Sequence, residues 1–116
     1  MAVIGRPDVY SVPAYVAADL AALRFAFQND ESFASAVRAV ANEIGLVIAK
    51  RGALGIALDH ELRGWRRSAF SSAAGGAADL RLVFRAREGG GFEVLMFGSR
   101  WGADSKSIYL HAKTRA

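Results

Sequence analysis

The chain has no cysteine, so neither a disulfide framework nor thiolate chemistry is open to it. It has only two histidines, His60 and His111, which stand 51 positions apart with no companion at helix or turn spacing. A zinc site therefore has no ligand set to start from. No metal and no organic cofactor is expected. Long apolar runs are also missing, because Asp19, Arg24, Arg38, Glu43 and Lys50 interrupt each candidate, and no membrane span is expected. Arg6, Pro7 and Asp8 arrive before an apolar h-region can form, which argues against a secretory signal. The expected location is cytoplasmic, which the lack of cysteine suits.

What is present is enough for one core. With 116 residues, 53% of them hydrophobic, the chain reads as a single domain over residues 1–116. Its charge is uneven. Residues 1–50 carry four basic and five acidic side chains, whereas residues 51–116 carry eleven basic and six acidic ones, so the net +4 belongs to the second half. A positive field of this kind attracts polyanions, either nucleic acid or an acidic protein, and it also serves plain solubility.

Residues 8–12 alternate β-branched and aromatic side chains and read as a short strand closed by Pro13, which pre-sets a helical turn. Val16, Leu20, Leu23 and Phe27 then recur at helical spacing, with Asp19, Arg24 and Gln28 placed off that stripe. Asn29 to Ser32 supply capping oxygens for a second helix, whose apolar face is Phe33, Val37, Val40, Ile44, Val47 and Ile48. The short connection predicts a helical hairpin. Gly52 and Gly55 stop the second helix, and residues 56–63 are a connector of no clear type.

From Trp65 the period falls to two. Three strands are expected, over Trp65–Phe70, Leu80–Arg85 and Phe92–Phe97, joined by a mobile Ser/Ala/Gly loop (71–78) and by Glu88-Gly89-Gly90-Gly91. The tail around Ile108, Tyr109 and Leu110 fits either a last strand or a short helix. The predicted fold class is α+β: an N-terminal helical hairpin packed on a twisted antiparallel sheet of about four strands, with a basic concave face.

The chemistry-bearing residues follow from that sheet. Alternation puts Leu80, Leu82 and Phe84 on one side and Arg81, Val83 and Arg85 on the other. Arg66 or Arg67, on the preceding strand, and Arg100, just past the third, would converge with Arg81. Several guanidiniums on one face make a phosphate site, because each is a planar fork of donors that keeps its charge; an ordinary solvated sheet face is the plainer reading. His111 is a second proton-transfer candidate, since imidazole ordinarily titrates near neutrality. Trp65 and Trp101 can stack on bases, although Trp65 fits a core or rim anchor better. Gly52-Ala53-Leu54-Gly55 matches the Gly-x-x-Gly of an RNA-binding loop, but a helix C-terminus is the commoner origin of such a string.

The succession Leu62-Arg63-Gly64-Trp65-Arg66-Arg67, Asp79-Leu80-Arg81-Leu82-Val83-Phe84-Arg85, Gly98-Ser99-Arg100 and Ile108-Tyr109 with a basic ending is similar to the RelE/ParE superfamily, the toxins of type II toxin–antitoxin pairs. The likeness rests on the order of these pieces, and with the first strand and helical hairpin it spans nearly the whole chain. By that resemblance Arg81 matches the arginine of the family's central strand, Arg100 the arginine after the glycine of the next strand, Tyr109 the late tyrosine, and Arg66 or Arg67 the basic pair before the central strand. The chain departs from the pattern in a longer gap from Arg100 to Tyr109 and in the added Ser/Ala/Gly loop.

The resemblance implies a RelE-like, metal-independent endoribonuclease that cleaves mRNA on the ribosome through 2′-hydroxyl attack. Arg81, Arg100, Tyr109, Arg67 and Arg66 would be catalytic, and Arg63, Arg85, Trp101, Lys106, His111 and Lys113 would bind RNA. It implies as partners a cognate acidic antitoxin, in a heterotetramer or larger complex, together with mRNA and the ribosome, and no membrane. Two alternatives stay open: a ParE-like toxin that inhibits DNA gyrase without catalysis, and a partner-binding module that keeps the fold alone.

Overall fold

A computed structural model describes residues 6–100 and 108–116. The elements run β1 (Val9–Tyr10), α1 (Pro13–Ala26), α2 (Asp30–Ala49), β2 (Ile56–Ala57), a 3₁₀ turn (His60–Leu62), β3 (Arg66–Phe70), β4 (Leu80–Ala86), β5 (Phe92–Ser99) and α3 (Ile108–Arg115). Local chemistry accounts for the boundaries. Pro13 occupies the first position of α1, where its missing N–H costs nothing. The Asn29 side chain accepts the backbone N–H groups of Glu31 and Ser32, at 2.9 and 3.1 Å, and so caps α2. Asp30 and Glu31 add negative charge to that helix start.

The sheet has five strands in the order β1-β5-β4-β3-β2. The expectation of about four antiparallel strands is corrected in two respects. The connector over 56–63 supplies an extra edge strand and a 3₁₀ turn, and β1 pairs with β5 in parallel, through Val9 opposite Phe92 and Tyr10 opposite Glu93. The parallel pair arises because the helical hairpin and three strands lie between the two, so β1 enters from the same end as β5. The tail forms a helix, the second of the two options that its sequence allowed.

Both sheet faces are covered. On the first, Leu80, Leu82, Phe84, Val94 and Phe97 pack against Leu23 of α1 and Val37, Val40, Ile44 and Val47 of α2. On the second, Val83, Leu95 and Met96 pack against Leu62, Trp65 and the α3 residues Ile108 and Ala112. Val83, expected to face outward, is fully buried because α3 and the 3₁₀ turn close over it. The β4–β5 register steps between Val83/Met96 and Phe84/Val94, so the consecutive residues Leu95 and Met96 both serve the second core. This explains why β5 reads as an unbroken apolar run.

By length and composition α2 could cross a membrane, but four residues of its apolar face sit in the first core, as in a core helix of a globular domain.

Candidate functional site

The strand registers fix which side chains share the second face. Arg67 is opposite Val83, Arg81 is opposite Ala69 on β3 and Gly98 on β5, and the Arg100 N–H donates to the Asp79 carbonyl at 2.9 Å, one step beyond the last strand pair. Arg100, Arg81 and Arg67 therefore occupy successive steps of a diagonal across β5, β4 and β3. Diagonal neighbours on one face lie about 7–8 Å apart, within reach of one another's guanidiniums. The small residues Ala69 and Gly98 flank Arg81, which is half-buried, and Ile108 of α3 packs over Gly98.

Arg81 is oriented by its own backbone: its Nη1 donates to the carbonyls of Ala78, at 2.7 Å, and Leu80, at 2.9 Å. Its Nε and Nη2 bond nothing among the described residues, and neither does the side chain of Arg67. Tyr109 packs half-buried beside the second core, on the flank of α3 that meets the 3₁₀ turn. Lys113, one helical turn on, lies 3.7 Å from Glu61, whose carboxyl is held below its ordinary range by its own backbone N–H and then by Lys113. Arg63 is exposed after the 3₁₀ turn.

Four expected members, Arg66, Arg85, Trp65 and His111, fall elsewhere or are already engaged. Arg66 pairs with Phe84 and so faces the helical hairpin, the opposite side from Arg81. There its Nε donates to Leu54 O at 3.1 Å and its Nη2 to Gly55 O at 2.9 Å, pinning the chain that follows α2. The choice between Arg66 and Arg67 thus resolves to Arg67, because side chains alternate along β3. Arg85 shares the second face but is held by Glu93, with Nε and Nη2 each 2.9 Å from Oε1, and stacks 4.1 Å above the Trp65 ring. Trp65 is buried, as a core anchor rather than a base-stacking platform. His111 is on another side of α3 from Tyr109, lining a cleft with Asp19 and Arg115. Trp101 and Lys106 lie outside the described residues.

The Gly52–Gly55 string is the predicted helix ending. Gly52, at φ +80°, donates its N–H to Val47 O at 2.8 Å and closes the last turn of α2. The Ser/Ala/Gly loop, expected to be mobile, is tied at several points: Ser35 Oγ donates to Ser72 O, Ser71 Oγ donates to the carbonyls of Gly76 and Ala77, and Asp79 accepts from both the N–H and the hydroxyl of Ser72.

Two buried carboxylates were not anticipated. Asp19, 3% exposed, accepts the Phe97 N–H at 3.1 Å and is paired with Arg115 at 2.8 and 2.9 Å. Burial pushes its pKa above the ordinary value, against the pull of Arg115 and the Phe97 N–H. Glu43, 8% exposed, is likewise raised by burial, with the Ser68 hydroxyl and then Lys50 opposing. Among the described residues no three His, Asp or Glu side chains come together as a metal site.

Comparison with family models, with curated proteins and with solved structures returns no match to this chain.

Proposed function

We propose that this chain is a RelE/ParE-like toxin domain and acts as a metal-independent endoribonuclease on mRNA. The diagonal Arg67–Arg81–Arg100, with Tyr109 beside the same core, carries this reading. The order of elements, a short strand, a helical hairpin and then an antiparallel meander, also agrees with the family resemblance. In the proposed reaction an RNA 2′-oxygen attacks the adjacent phosphorus and loses its proton, the 5′-oxygen leaves and takes one up, and a 2′,3′-cyclic phosphate forms. Negative charge builds on the non-bridging oxygens, where fixed guanidinium donors stabilise it more than in the ground state. Arg81 and Arg100 clamp the phosphate, Arg67 adds positive field, and Tyr109 stacks on a base or assists proton transfer. Arg63 and Lys113 extend the basic surface along the RNA. A cognate acidic antitoxin would neutralise the toxin by covering this face.

A specific observation favours the second reading, a ParE-like gyrase inhibitor. Arg66 and Arg85 are committed to internal partners, so the charge directed at one phosphate is smaller than the sequence implies. One experiment separates the readings: induce the wild-type chain and the Arg81→Ala and Arg100→Ala variants, then map mRNA 5′ ends and plasmid supercoiling. New 5′-hydroxyl ends that vanish in both variants support the nuclease. Altered supercoiling with intact transcripts supports the inhibitor, and absence of toxicity leaves a partner-binding module.

A further inference from the structure

We infer that the cleft between α2 and the 71–75 loop, on the side of the sheet away from the arginine diagonal, binds a compact organic cation, an ammonium or guanidinium group, seated on the Glu43 carboxylate. The cleft holds about 330 Å³. Arg38, Asn42 and Glu43 line one wall, and the serine-rich loop with Phe70 forms the other.

Glu43 is the group that calls for a ligand. It is 8% exposed, yet among the described residues no ion pair reaches it, and the Ser68 hydroxyl is the hydrogen-bonding group beside it. The Ser68 hydroxyl, 2% exposed, has no strong partner of its own besides this carboxyl. A carboxyl largely removed from water thus has one hydroxyl and no cation against it, which native interiors avoid unless something else completes the charge. Cations of the chain itself do not do so: Arg38 is at the exposed rim, and Lys50, at the C-terminal cap of α2, acts on Glu43 only through space.

The site is also built in advance. The wall opposite α2 is tied by the Ser35, Ser71, Ser72 and Asp79 bonds, so a ligand need not order it on arrival. An anion is disfavoured because Glu43, an acid, is the buried polar residue of the cleft wall that faces the serine-rich loop. A cation of one or a few carbons fits between, donating to Glu43, while Arg38 can turn toward water.

The test titrates the full chain with methylguanidinium chloride, methylammonium chloride and a capped Gly-Arg-Gly tripeptide at constant ionic strength, following backbone amide and carboxyl-carbon NMR signals. Saturable shifts at Asn42, Glu43, Ser68, Ser71 and Ser72 are expected. They should weaken roughly tenfold or more in Glu43→Gln, the size of one lost charge-assisted hydrogen bond. Tighter binding of the tripeptide would identify a peptide side chain as the source of the cation, and equal binding a free small molecule. A second measurement needs no variant: the midpoint of the Glu43 carboxyl titration should fall when the probe is saturating. No saturable shift with any probe, shifts that persist in Glu43→Gln, or an unmoved Glu43 midpoint would each overturn the assignment.

Discussion

Asp19 and Arg115, 96 residues apart in sequence, close the uncovered edge of β5 together. β1 pairs only with Phe92 and Glu93, so further along that edge the Phe97 N–H is left to the Asp19 carboxylate and the Leu95 carbonyl to the Arg115 guanidinium, at 3.3 Å. The ion pair stands in for a missing strand. Arg115 also lies 4.6 Å above the Tyr15 ring, which joins α3 to α1.

Removing one partner of this pair should therefore cost more than replacing both. Arg115→Ala leaves Asp19 buried without its counter-charge, and the expected loss is about 3–5 kcal/mol in urea unfolding. Combining Asp19→Asn with Arg115→Met should cost less, since the new amide still accepts the Phe97 N–H and no buried charge remains. A double variant less stable than Arg115→Ala would show that the salt bridge adds net stability beyond satisfying the edge.

The pH dependence follows from the direction of the shifts. Asp19 and Glu43 have folded-state pKa values raised by burial, so folding favours their protonated forms. Their contribution is fully present below the ordinary carboxylate range and is lost as pH rises through the folded value. Glu61 has the opposite sign, with a contribution present at neutral pH and lost on acidification, but it is solvent-exposed and its share is small. Glu43→Gln is expected to gain stability relative to wild type between about pH 4 and pH 7, because the amide escapes the ionisation penalty. Parallel urea titrations across that interval check it, and a difference that does not change with pH counts against it.

Both carboxylates were legible in principle. Asp19 is three residues after Val16 and four before Leu23, and Glu43 is three after Val40 and four before Val47, so each falls on the apolar face of its helix. Treating Asp19 as off the stripe missed that α1 buries a second flank along the β5 edge. The helices, the capping Asn29 and the sidedness of Leu80, Leu82 and Phe84 could be read because they depend on local period alone. The sidedness of Arg66 and Arg67 could not, because adjacent residues exchange faces with one step of register, and only pairing with β4 sets it. Nor could the cover over Val83, which depends on where α3 returns.

Gly55 is expected to tolerate no side chain. It sits at φ +71°, and a Cβ there would collide with the carbonyl oxygen of Arg67, a backbone atom that cannot swing aside. The neighbouring carbonyls of Leu54 and Gly55 accept from Arg66. Gly55→Ala should separate β2 from β3 and lower stability by roughly 1–3 kcal/mol, combining αL strain with lost contacts. Faster hydrogen exchange confined to residues 54–58 and 65–68 would confirm it, and unchanged exchange would refute it.

Arg66 and Arg67 are adjacent, carry the same charge and should nevertheless fail in different ways. Arg66 holds two backbone carbonyls on the hairpin side, so Arg66→Ala is expected to lower stability by about 1–3 kcal/mol. Its effect on RNA binding should stay small once the fraction folded is taken into account. Arg67 lies on the diagonal with Arg81, where its guanidinium bonds no described residue, so Arg67→Ala should change stability by no more than about 0.5 kcal/mol. If it contacts a phosphate, affinity for a short single-stranded RNA should drop, and the slope of log K against log salt should shallow by about 0.7, the release of one counterion. Measuring both variants by urea unfolding and by RNA titration at several salt concentrations separates the roles. Equal stability losses would mean the register of β3 does not part the two side chains, and an unchanged salt slope in Arg67→Ala would remove Arg67 from the RNA surface.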